Sequence, residues 1–415
     1  MLKPKIFDYI RRNFFMKLIE RKYYLNSLIS LRGTDVIKVI TGIRRCGKST
    51  LLRLYIDYLL SQGVSKEDIV WYNFEDFLLQ SYIDNPQKLH EEIIEIAKAG
   101  RNIYVFLDEV QNLKNFEKII NSLNLRQNID LYITGSNSVL LSGELATLLT
   151  GRYVEIHILP FSFKEYIETQ DNRSRLDLLF NNYLRNGGFP GAIALSELIR
   201  ADYVRSIYNS IMQKDIMTRN AWRKTDHFDR LARFMFDSIG SPLSANNISN
   251  IFKNLGFTIS SHTVENYLDA ICGAYLFYKI PRYNIKGKVI LSTQEKFYTA
   301  DLGLKNIVLG QSAKNDTGFA LENIVFLELL RRGNQINVGK ASNAEIDFVV
   351  QTPQGTTEYI QVAWTAKEES TFQREMRPLE LIHDFNKRTL LTTDVEPVTT
   401  YKGIRKVNVI DWLLE

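Results

Sequence analysis

Residues 35–49 read DVIKVITGIRRCGKS, and this stretch decides the fold of the first part of the chain. Its first half, DVIKVIT, is mostly apolar and β-branched, which is typical of a strand buried in a parallel sheet. Residues 49–60, STLLRLYIDYLL, then place leucine and tyrosine at helical spacing. Between them, GIRRCGKS at 42–49 fits the pattern Gly-x-x-x-x-Gly-Lys-Ser. Strand, glycine loop and helix in this order predict a phosphate-binding loop.

The chemistry of the loop follows from its residue types. Gly42 and Gly47 can adopt backbone angles closed to other residues, so the loop N–H groups and the helix N-terminus can surround phosphate oxygens. Lys48 can reach the β- and γ-phosphates, and Ser49 can offer its hydroxyl to Mg²⁺. The alternative is an accidental pattern in a turn. The predicted nucleotide-binding residues are Gly42, Ile43, Arg44, Arg45, Cys46, Gly47, Lys48, Ser49 and Thr50.

A second buried strand is predicted at residues 103–109, IYVFLDE, with two carboxylates at its carboxyl end. In open α/β sheets that edge carries the ligands. Asp108 is placed to hold Mg²⁺, and Glu109 is placed to orient or deprotonate an attacking water. Acidic residues are also common at solvated strand ends, so this pair indicates a hydrolase site only in combination with the phosphate loop.

Further polar residues follow a third strand, LYITG at 131–135. Ser136 or Asn137 at its tip can contact the γ-phosphate or the water, although a simple turn explains either one. A helix is expected over SVLLSGELATLLTG, followed by Arg152 immediately before the strand YVEIHIL. That arginine is either a surface charge or a group that stabilises transition-state charge in its own or a neighbouring subunit. With IVWYNFED at 69–76 as another strand, the sequence predicts an α/β fold with a doubly wound parallel sheet.

Composition sets the broad class. The 415 residues suffice for about two to four domains, and a net charge of +5 permits an anionic partner without requiring one. Two cysteines provide no disulfide framework. The N-terminal segment has no uninterrupted apolar run, and no stretch approaches the roughly 18 apolar residues of a membrane span. We therefore expect a cytoplasmic protein without a membrane partner.

The middle of the chain predicts a domain of the kind that binds nucleic acid or a partner protein. Gly187, Gly188 and Pro190 mark a turn within a helical region. Residues 227–280 then suggest three helices, with Ser244 as the N-cap of the second and Ser261 or Thr263 near the start of the third, followed by a β-hairpin. This is the plan of a winged helix. Its third helix is not notably basic, so DNA and a protein partner both stay open.

LENIVFLELLRRG at 321–333 predicts an amphipathic helix, and NAEIDFVVQTPQGTTEYIQVAWT after it predicts two strands around the turn PQG. This C-terminal part resembles the restriction-endonuclease-like fold. Members that cut nucleic acid carry an acid on the first helix, an Asp on the first strand and Glu-x-Lys on the next. Glu322 and Asp347 match the first two places, with Glu345 beside them. The third place reads Gln361-Val362-Ala363, which lacks the lysine, so nuclease activity is not expected. Two carboxylates can still bind a metal ion.

The N-terminal part resembles an AAA+-type P-loop ATPase core. The segments that carry this resemblance are GIRRCGKS, FLDE, ITGSN, the arginine before a strand, and ILPFSFKEY. The whole chain resembles prokaryotic ATPases in which such a core precedes a domain of unknown function numbered 4143. The resemblance implies that Asn137 is a first sensor and that Arg152 reaches the nucleotide of a neighbour, hence a homo-oligomer. No second-sensor arginine is evident in the helices that follow.

These observations predict an ATPase that binds ATP or ADP with Mg²⁺ and uses hydrolysis to change the conformation of its C-terminal modules. The alternative is a nucleotide-dependent switch or scaffold with negligible turnover; a small-molecule kinase fits the acidic pair less well. Tyr24 and Leu25 are weak candidates for the adenine pocket. The expected domains are an ATPase domain at 1–168, a helical lid or linker at 169–225, a winged helix at 226–310 and a degenerate nuclease-like domain at 311–415.

Overall fold

The computed structural model describes residues 18–98, 100–138, 151–222, 226–310 and 317–415. The chain divides into two compact units, Met1–Ile158 and Leu159–Glu415. Each unit has its own sheet. Most of the helix expected over 138–151 lies outside the described residues, as does the N-terminal segment 1–17.

The first unit alternates strands and helices. Its described elements are α1 (Lys22–Ser30), β1 (Ile37–Thr41), α2 (Lys48–Ser61), β2 (Ile69–Asn73), α3 (Gln80–Asp84), α4 (Pro86–Ala97), β3 (Ile103–Asp108), α5 (Phe116–Asn124), β4 (Ile129–Gly135) and β5 (Tyr153–His157), with short 3-10 turns at Lys66–Asp68, Phe77–Leu79 and Val110–Asn112. The strands form one sheet in the order β2-β3-β4-β1-β5, and every neighbouring pair is parallel. The predicted doubly wound sheet is confirmed.

Both faces of this sheet are covered, which explains the continuous apolar runs of its strands. Helices α4 and α5 pack on one face, where Leu89, Ile93 and Ile120 join the strand residues in a single core. Helix α2 covers the other face, where Tyr55 packs against Phe106 and Tyr132. Replacing one of the fully buried aliphatic residues by alanine would cost about 2–5 kcal/mol of stability. This packing fixes the strand ends that carry the site.

The second unit begins with helices and continues into a mixed sheet. Its elements are α6 (Phe163–Glu168), α7 (Leu176–Asn186), α8 (Pro190–Ile193), α9 (Glu197–Ser210), a π-helical segment (Ile211–Thr218), α10 (Asp226–Asp237), β6 (Pro242–Leu243), α11 (Ala245–Asn254), α12 (Ser261–Gly273), β7 (Phe277–Asn284), β8 (Val289–Thr299), α13 (Leu302–Leu309), α14 (Thr317–Arg331), β9 (Gln335–Ala341), β10 (Ala344–Gln351), β11 (Thr357–Ala363), α15 (Glu369–Glu380), β12 (Lys387–Thr392), β13 (Thr399–Tyr401), β14 (Ile404–Asn408) and α16 (Val409–Leu414).

The three helices α10, α11 and α12 are followed by the hairpin β7–β8, as the sequence predicts. Ser244 caps α11 by accepting a hydrogen bond from the Asn247 N–H at 3.2 Å, which confirms the predicted cap. Helix α12 starts at Ser261, but its N-cap is the preceding Ser260, which accepts from the Thr263 N–H. The turn between β10 and β11 also lies where the sequence predicts it, with Gly355 at φ 82°.

The sheet of the second unit has nine strands in the order β13-β14-β12-β11-β10-β9-β7-β8-β6. Strand β7 of the hairpin pairs in parallel with β9, from Arg282 beside Val338 to Asn284 beside Lys340. A continuous sheet therefore runs across the predicted domain boundary at residue 310, and that boundary stays a prediction.

The segment NGGFPGA forms a tight connection whose glycines are required. Gly187 has a φ of 74°, and a Cβ there would lie 2.1 Å from a carboxylate oxygen of Asp301. The Gly188 N–H donates to the same carboxylate at 2.6 Å, and the Leu304 N–H donates at 3.1 Å. Pro190 then starts α8, where its missing N–H is harmless. The predicted turn is thus an anchor between α7 and the start of α13.

Among the described residues, no helix combines the length and the apolar character that crossing a membrane requires.

Candidate functional site

The loop between β1 and α2 has the backbone that its glycines predict. Gly42 has a φ of 139°, and a Cβ there would lie 2.1 Å from the carbonyl oxygen of Ile158. Gly47 has a φ of 107° and immediately precedes α2. Side chains other than hydrogen are strained at both positions. Because the loop continues into a helix N-terminus, its amides and the helix dipole favour an anion at this point.

Lys48 lies at the first position of α2 and is 4% exposed. Its ammonium donates to the carbonyl oxygen of Gly42 at 3.0 Å and lies 3.4 Å from a carboxylate oxygen of Glu109. Burial lowers the pKa of Lys48, but Glu109, Cys46 and Asp108 together outweigh it, so the pKa is above its ordinary value. The site therefore contains a permanently charged ammonium at the end of the loop.

Asp108 ends β3 and is fully buried. Its Oδ1 accepts a hydrogen bond from the Thr134 hydroxyl at 2.6 Å, and the nearby Ser49 hydroxyl favours the ionised form and lowers the pKa of Asp108. Within the described part of the chain, its Oδ2 has no hydrogen-bond partner. Burial and the charge of Glu109 raise the pKa of Asp108 to about 6. An unpaired buried carboxylate oxygen beside a serine hydroxyl fits a hard divalent cation such as Mg²⁺.

Glu109 follows with a left-handed backbone, φ 54° and ψ 49°. A residue with a Cβ pays about 1–2 kcal/mol for this conformation, so surrounding contacts must hold it. The Glu109 N–H donates to the Thr134 hydroxyl at 2.9 Å, and its carboxylate contacts Lys48 and the Gln111 amide. Burial raises the pKa of Glu109, but Lys48, Arg44 and Gln111 together lower it below its ordinary value. Glu109 is thus an ionised base.

Thr134 is the functional residue that the sequence reading missed. Its hydroxyl donates to Asp108 and accepts from the backbone of Glu109, so it fixes both acidic residues at once. Thr134 lies on β4, which pairs with β3 in the register Leu107 beside Ile133. The sequence contains the threonine, but the adjacency of β3 and β4 that gives it this role is a property of the fold.

The other predicted loop residues have distinct positions. Arg44 is buried and pairs with Glu75 at 2.6 Å, whereas Arg45 is exposed with a φ of 68°. Ile43 and Cys46 are buried, and Thr50 is half-buried in α2. The carbonyl oxygen of Cys46 accepts from Arg21 at 2.9 Å. Burial raises the pKa of the Cys46 thiol, so this cysteine is a packing residue of the loop and a poor nucleophile.

Asn137 and Arg152 have different relations to the site. Asn137 is 3% exposed and follows β4 at the carboxyl edge of the sheet, where the Ser136 hydroxyl accepts from Gln111 at 3.3 Å. Arg152 is exposed and precedes β5, and its carbonyl oxygen accepts from the N–H of Ile37 at the start of β1. That is the opposite edge of the sheet, about 16 Å along a five-residue strand from the loop. The structure does not bring Arg152 to its own phosphate loop.

Tyr24 and Leu25, the weak candidates for an adenine pocket, are both buried in α1. The guanidinium of Arg21 lies 4.7 Å from the centre of the Tyr24 ring. Their burial is what ordinary core residues show.

The nuclease-like acids also come together. Glu322 on α14 and Glu345 and Asp347 on β10 surround the ammonium of Lys296, a residue on β8 that the sequence reading missed. Gln361 accepts from the Asp347 N–H and donates to Glu375, and Ala363 is buried. In the described ranges, no group of three or more His, Cys, Asp or Glu side chains is arranged to hold a metal ion.

Comparison with protein families gives two matches. Residues 34–167 match an AAA domain, and residues 177–315 match a domain of unknown function (DUF8612). The AAA-type core expected from the sequence is confirmed, while the domain numbered 4143 stays a prediction.

Relatives of similar length exist in a bacterium and an archaeon. An uncharacterized protein of Haemophilus influenzae is 40% identical over 402 residues, covering 96% of this chain and 99% of that protein. An uncharacterized protein of Methanocaldococcus jannaschii is 31% identical over 363 residues, covering 83% and 78%. Among solved structures, the Walker-type ATPase PABY2304 of Pyrococcus abyssi is similar with a TM-score of 0.50. It is 12% identical, with 70% of this chain and 96% of that one covered, so this likeness concerns the fold alone.

Proposed function

Because this chain belongs to the family that includes the uncharacterized Haemophilus influenzae protein, and because its residues 34–167 match an AAA domain, we propose that it is a magnesium-dependent ATPase. The observation that carries the proposal is the joint position of Lys48, Ser49, Asp108 and Glu109. A buried ammonium, a hydroxyl, an unpaired carboxylate oxygen and an ionised base meet where the glycine loop enters a helix.

Each group has a role in this proposal. The loop amides and Lys48 bind the β- and γ-phosphates, and Ser49 with Asp108 holds Mg²⁺, which neutralises phosphate charge when bound. Glu109 accepts a proton from the attacking water. The water oxygen forms a bond to the γ-phosphorus as the bond to the bridging oxygen breaks, which yields ADP and inorganic phosphate. Asn137, at the same sheet edge, is proposed to contact the γ-phosphate or the water.

The contact between Lys48 and Glu109 supports a coupling between nucleotide binding and the basicity of Glu109. The ammonium lies 3.4 Å from the Glu109 carboxylate and 3.0 Å from a loop carbonyl oxygen. Triphosphate carries more charge than one carboxylate, so phosphate draws Lys48 toward itself. Glu109 then keeps its contact with Gln111 and gains basicity, because its strongest positive neighbour is shared with the nucleotide.

A Glu109→Gln variant tests turnover against the alternative of a tight nucleotide switch. The amide keeps the size of the side chain and cannot accept the proton, so kcat should fall by about 10²–10⁴-fold while ATP stays bound. A single-turnover assay with γ-labelled ATP measures both quantities. Gln111→Glu is unsuitable as a control because it adds charge, whereas Glu95→Gln on the exposed surface of α4 should leave the rate unchanged. A parent protein that binds ATP and releases no phosphate would favour the switch.

We further propose that the helices α10–α12 and the hairpin β7–β8 form a winged helix that contacts a partner protein. The antiparallel pairing of β6 and β7 on either side of β8 supports this fold. The exposed side chains of α12 are His262, Glu265, Asn266 and Asp269, and its segment SHTVENYLDAICG contains no lysine or arginine. A recognition helix with two acids is repelled by DNA phosphates. Lys286 and Lys288, exposed in the hairpin, support the alternative of DNA.

Duplex binding at several salt concentrations separates these partners. We expect no duplex binding near physiological salt, and the combined Lys286→Ala and Lys288→Ala variant should match the parent. Binding that weakens steeply with salt, and weakens further in that variant, would favour DNA. Neither result bears on ATP hydrolysis, which the Glu109→Gln variant tests separately.

A further inference from the structure

The second unit contains a buried ammonium enclosed by carboxylates. Lys296 Nζ lies 2.9 Å from Glu322 Oε1, 2.9 Å from Glu345 Oε1 and 3.7 Å from Asp347 Oδ1. The acids come from helix α14 and strand β10, and the lysine comes from β8. Four side chains from three elements of the chain thus converge on one point within this unit.

Lys296, Glu322 and Asp347 are largely shielded from water, so their charges must be compensated within the protein. The side chain of Lys296 is 3% exposed, that of Glu322 is 7% exposed and that of Asp347 is 11% exposed. Glu345 is the most accessible, at 31%. An ion taken from water into such a place costs several kcal/mol unless it is paired and hydrogen-bonded. Three carboxylates at one buried point therefore require a cation.

Each acid also has a second partner. The Tyr298 hydroxyl donates to Glu322 at 2.6 Å, and Arg282 lies 3.4 Å from Glu345. The Val362 N–H donates to Asp347 at 2.9 Å. These contacts hold the carboxylates in place around Lys296.

The ion pairs of the cluster form without any external ion. Lys296 pairs with Glu322 and Glu345, and Arg282 gives Glu345 a second cationic neighbour. Burial lowers the pKa of Lys296, but the three acids more than offset this and keep it charged. Burial and the neighbouring Glu322 raise the pKa of Asp347 well above its ordinary value.

We propose that the Lys296 ammonium is the built-in cation of this cluster and takes the place of a divalent ion. With Lys296 present, these acids are not arranged to hold a metal ion, and removal of its charge should let them close on one. The ligands are all oxygen, so the class of ion is hard and divalent, such as Mg²⁺, Ca²⁺ or Mn²⁺. This inference is independent of the proposed ATPase function.

The same geometry argues against a relocated catalytic lysine. A lysine that assists hydrolysis must reach the attacking water, whereas two carboxylates bind Lys296 directly at 2.9 Å inside the protein. Gln361 is engaged by the Asp347 N–H and by Glu375 rather than directed at a ligand. The cluster therefore stabilises the sheet of the second unit and supplies no metal-dependent chemistry.

Replacing Lys296 by methionine tests the proposal in the full-length chain. Methionine keeps the length of the side chain and removes the charge. An Asp108→Asn background excludes Mn²⁺ binding at the loop site. The background protein should bind no Mn²⁺ at the cluster, by calorimetry and by electron paramagnetic resonance, at about millimolar metal. Lys296→Met should lower Tm by about 10 °C without metal, bind one Mn²⁺ and regain most of that loss.

Matched variants make the result specific. Adding Asp347→Asn to Lys296→Met should weaken Mn²⁺ binding by at least about tenfold. Lys279→Met, which removes a lysine paired with Glu295 at the surface, should neither bind Mn²⁺ nor lose stability comparably. A Lys296→Met protein that folds and binds no Mn²⁺ overturns the proposal.

A second measurement covers the case in which Lys296→Met does not fold. Glu345→Gln alters the most accessible acid and should leave the Mn²⁺ titration of the background protein unchanged. If that protein instead binds Mn²⁺ and Glu345→Gln abolishes the binding, the cluster is already a metal site and the proposal is wrong. The proposal is also wrong if the background protein cleaves DNA in the presence of Mn²⁺ and Glu345→Gln abolishes that cleavage.

Discussion

Lys48 and Lys296 are both buried ammonium groups that face carboxylates, and their surroundings differ in one decisive respect. Lys48 lies in a glycine loop at the start of a helix, where carbonyl oxygens and one carboxylate hold it at 3.0–3.4 Å. Lys296 lies in a sheet between two carboxylates at 2.9 Å, with a third at 3.7 Å. The first ammonium has contacts that a phosphate can replace, whereas the second has contacts that complete a cluster of ion pairs.

Replacement of each lysine by methionine should have the largest effects, and these should differ in kind between the two positions. Lys48→Met removes the phosphate ligand, so ATP turnover should fall at least about a thousandfold, while Gln111 and Arg44 still stabilise Glu109 and limit the loss of stability. Lys296→Met should lower the free energy of unfolding by about 3–5 kcal/mol and leave the turnover of the folded fraction near that of the parent. Phosphate-release assays and denaturant unfolding measure the two effects.

The opposite pattern of effects would show that the contacts of Lys48 are not replaced by phosphate, or that those of Lys296 are not structural. A large stability loss in Lys48→Met with normal turnover would make Lys48 the structural group. Lys98→Met serves as the surface control, because its ammonium pairs with the exposed Glu95.

Arg152 provides the next largest effect, because it lies at the sheet edge opposite the loop. If it serves the nucleotide of a neighbouring copy, Arg152→Ala should lower turnover by about 100-fold or more without lowering nucleotide affinity comparably. Mixing Arg152→Ala with Glu109→Gln should then restore part of the activity, because some sites combine an intact Arg152 with an intact Glu109.

Arg101→Ala is a suitable control for this experiment, since Arg101 pairs with Asp68 near the start of β3, at the same sheet edge. Its turnover should equal that of the parent. A mixture that shows only the sum of the two residual activities would exclude a shared site.

Substitution of Thr134 should have a smaller effect on turnover, and it tests how far the site depends on the hydrogen bonds that Thr134 makes to Asp108 and Glu109. Thr134→Val keeps the shape but leaves the Glu109 N–H unpaired and removes a donor from Asp108, which should cost about 1–3 kcal/mol of stability. We expect kcat to fall about tenfold with little change in KM, because Glu109 loses its orientation. Thr134→Ser retains the hydroxyl and should recover most of kcat; equal losses in both variants would assign Thr134 to packing alone.

The loop and the strand ends that carry the site are predictable from the sequence, whereas the residues that contact them from adjacent strands are not. The glycine spacing at 42–49 and the acids after IYVFL identify one sheet edge, because parallel strands place their carboxyl ends together. The roles of Thr134 and Lys296 depend instead on which strands become adjacent. Thr134 reaches Asp108 only because β4 pairs with β3, and Lys296 reaches Glu345 through the sheet formed by β8, β7, β9 and β10. Local residue patterns contain no information on these pairings.

The acid at the loop site adds a pH dependence, which is the smallest effect we expect. Burial, reinforced by Glu109, raises the pKa of Asp108 from 3.8 to about 6. Between these values the folded protein holds the proton more tightly than the unfolded chain does. The carboxyl's contribution to the free energy of unfolding is therefore full below pH 3.8 and is lost as the pH rises toward 6.

Binding of magnesium nucleotide should change in the opposite direction, because a carboxylate binds Mg²⁺ only when ionised. From about pH 7 to about pH 5.5 the ionised fraction of Asp108 falls about fourfold, so the affinity for Mg²⁺-ATP should fall about fourfold beyond the effect of the nucleotide's own protonation. Titration of a fluorescent ATP analogue into the parent and into Asp108→Asn measures this, since nucleotide protonation is common to both. Equal pH dependence in the two proteins would mean that Asp108 stays ionised throughout, held so by its contacts with Thr134, Ser49 and Lys48.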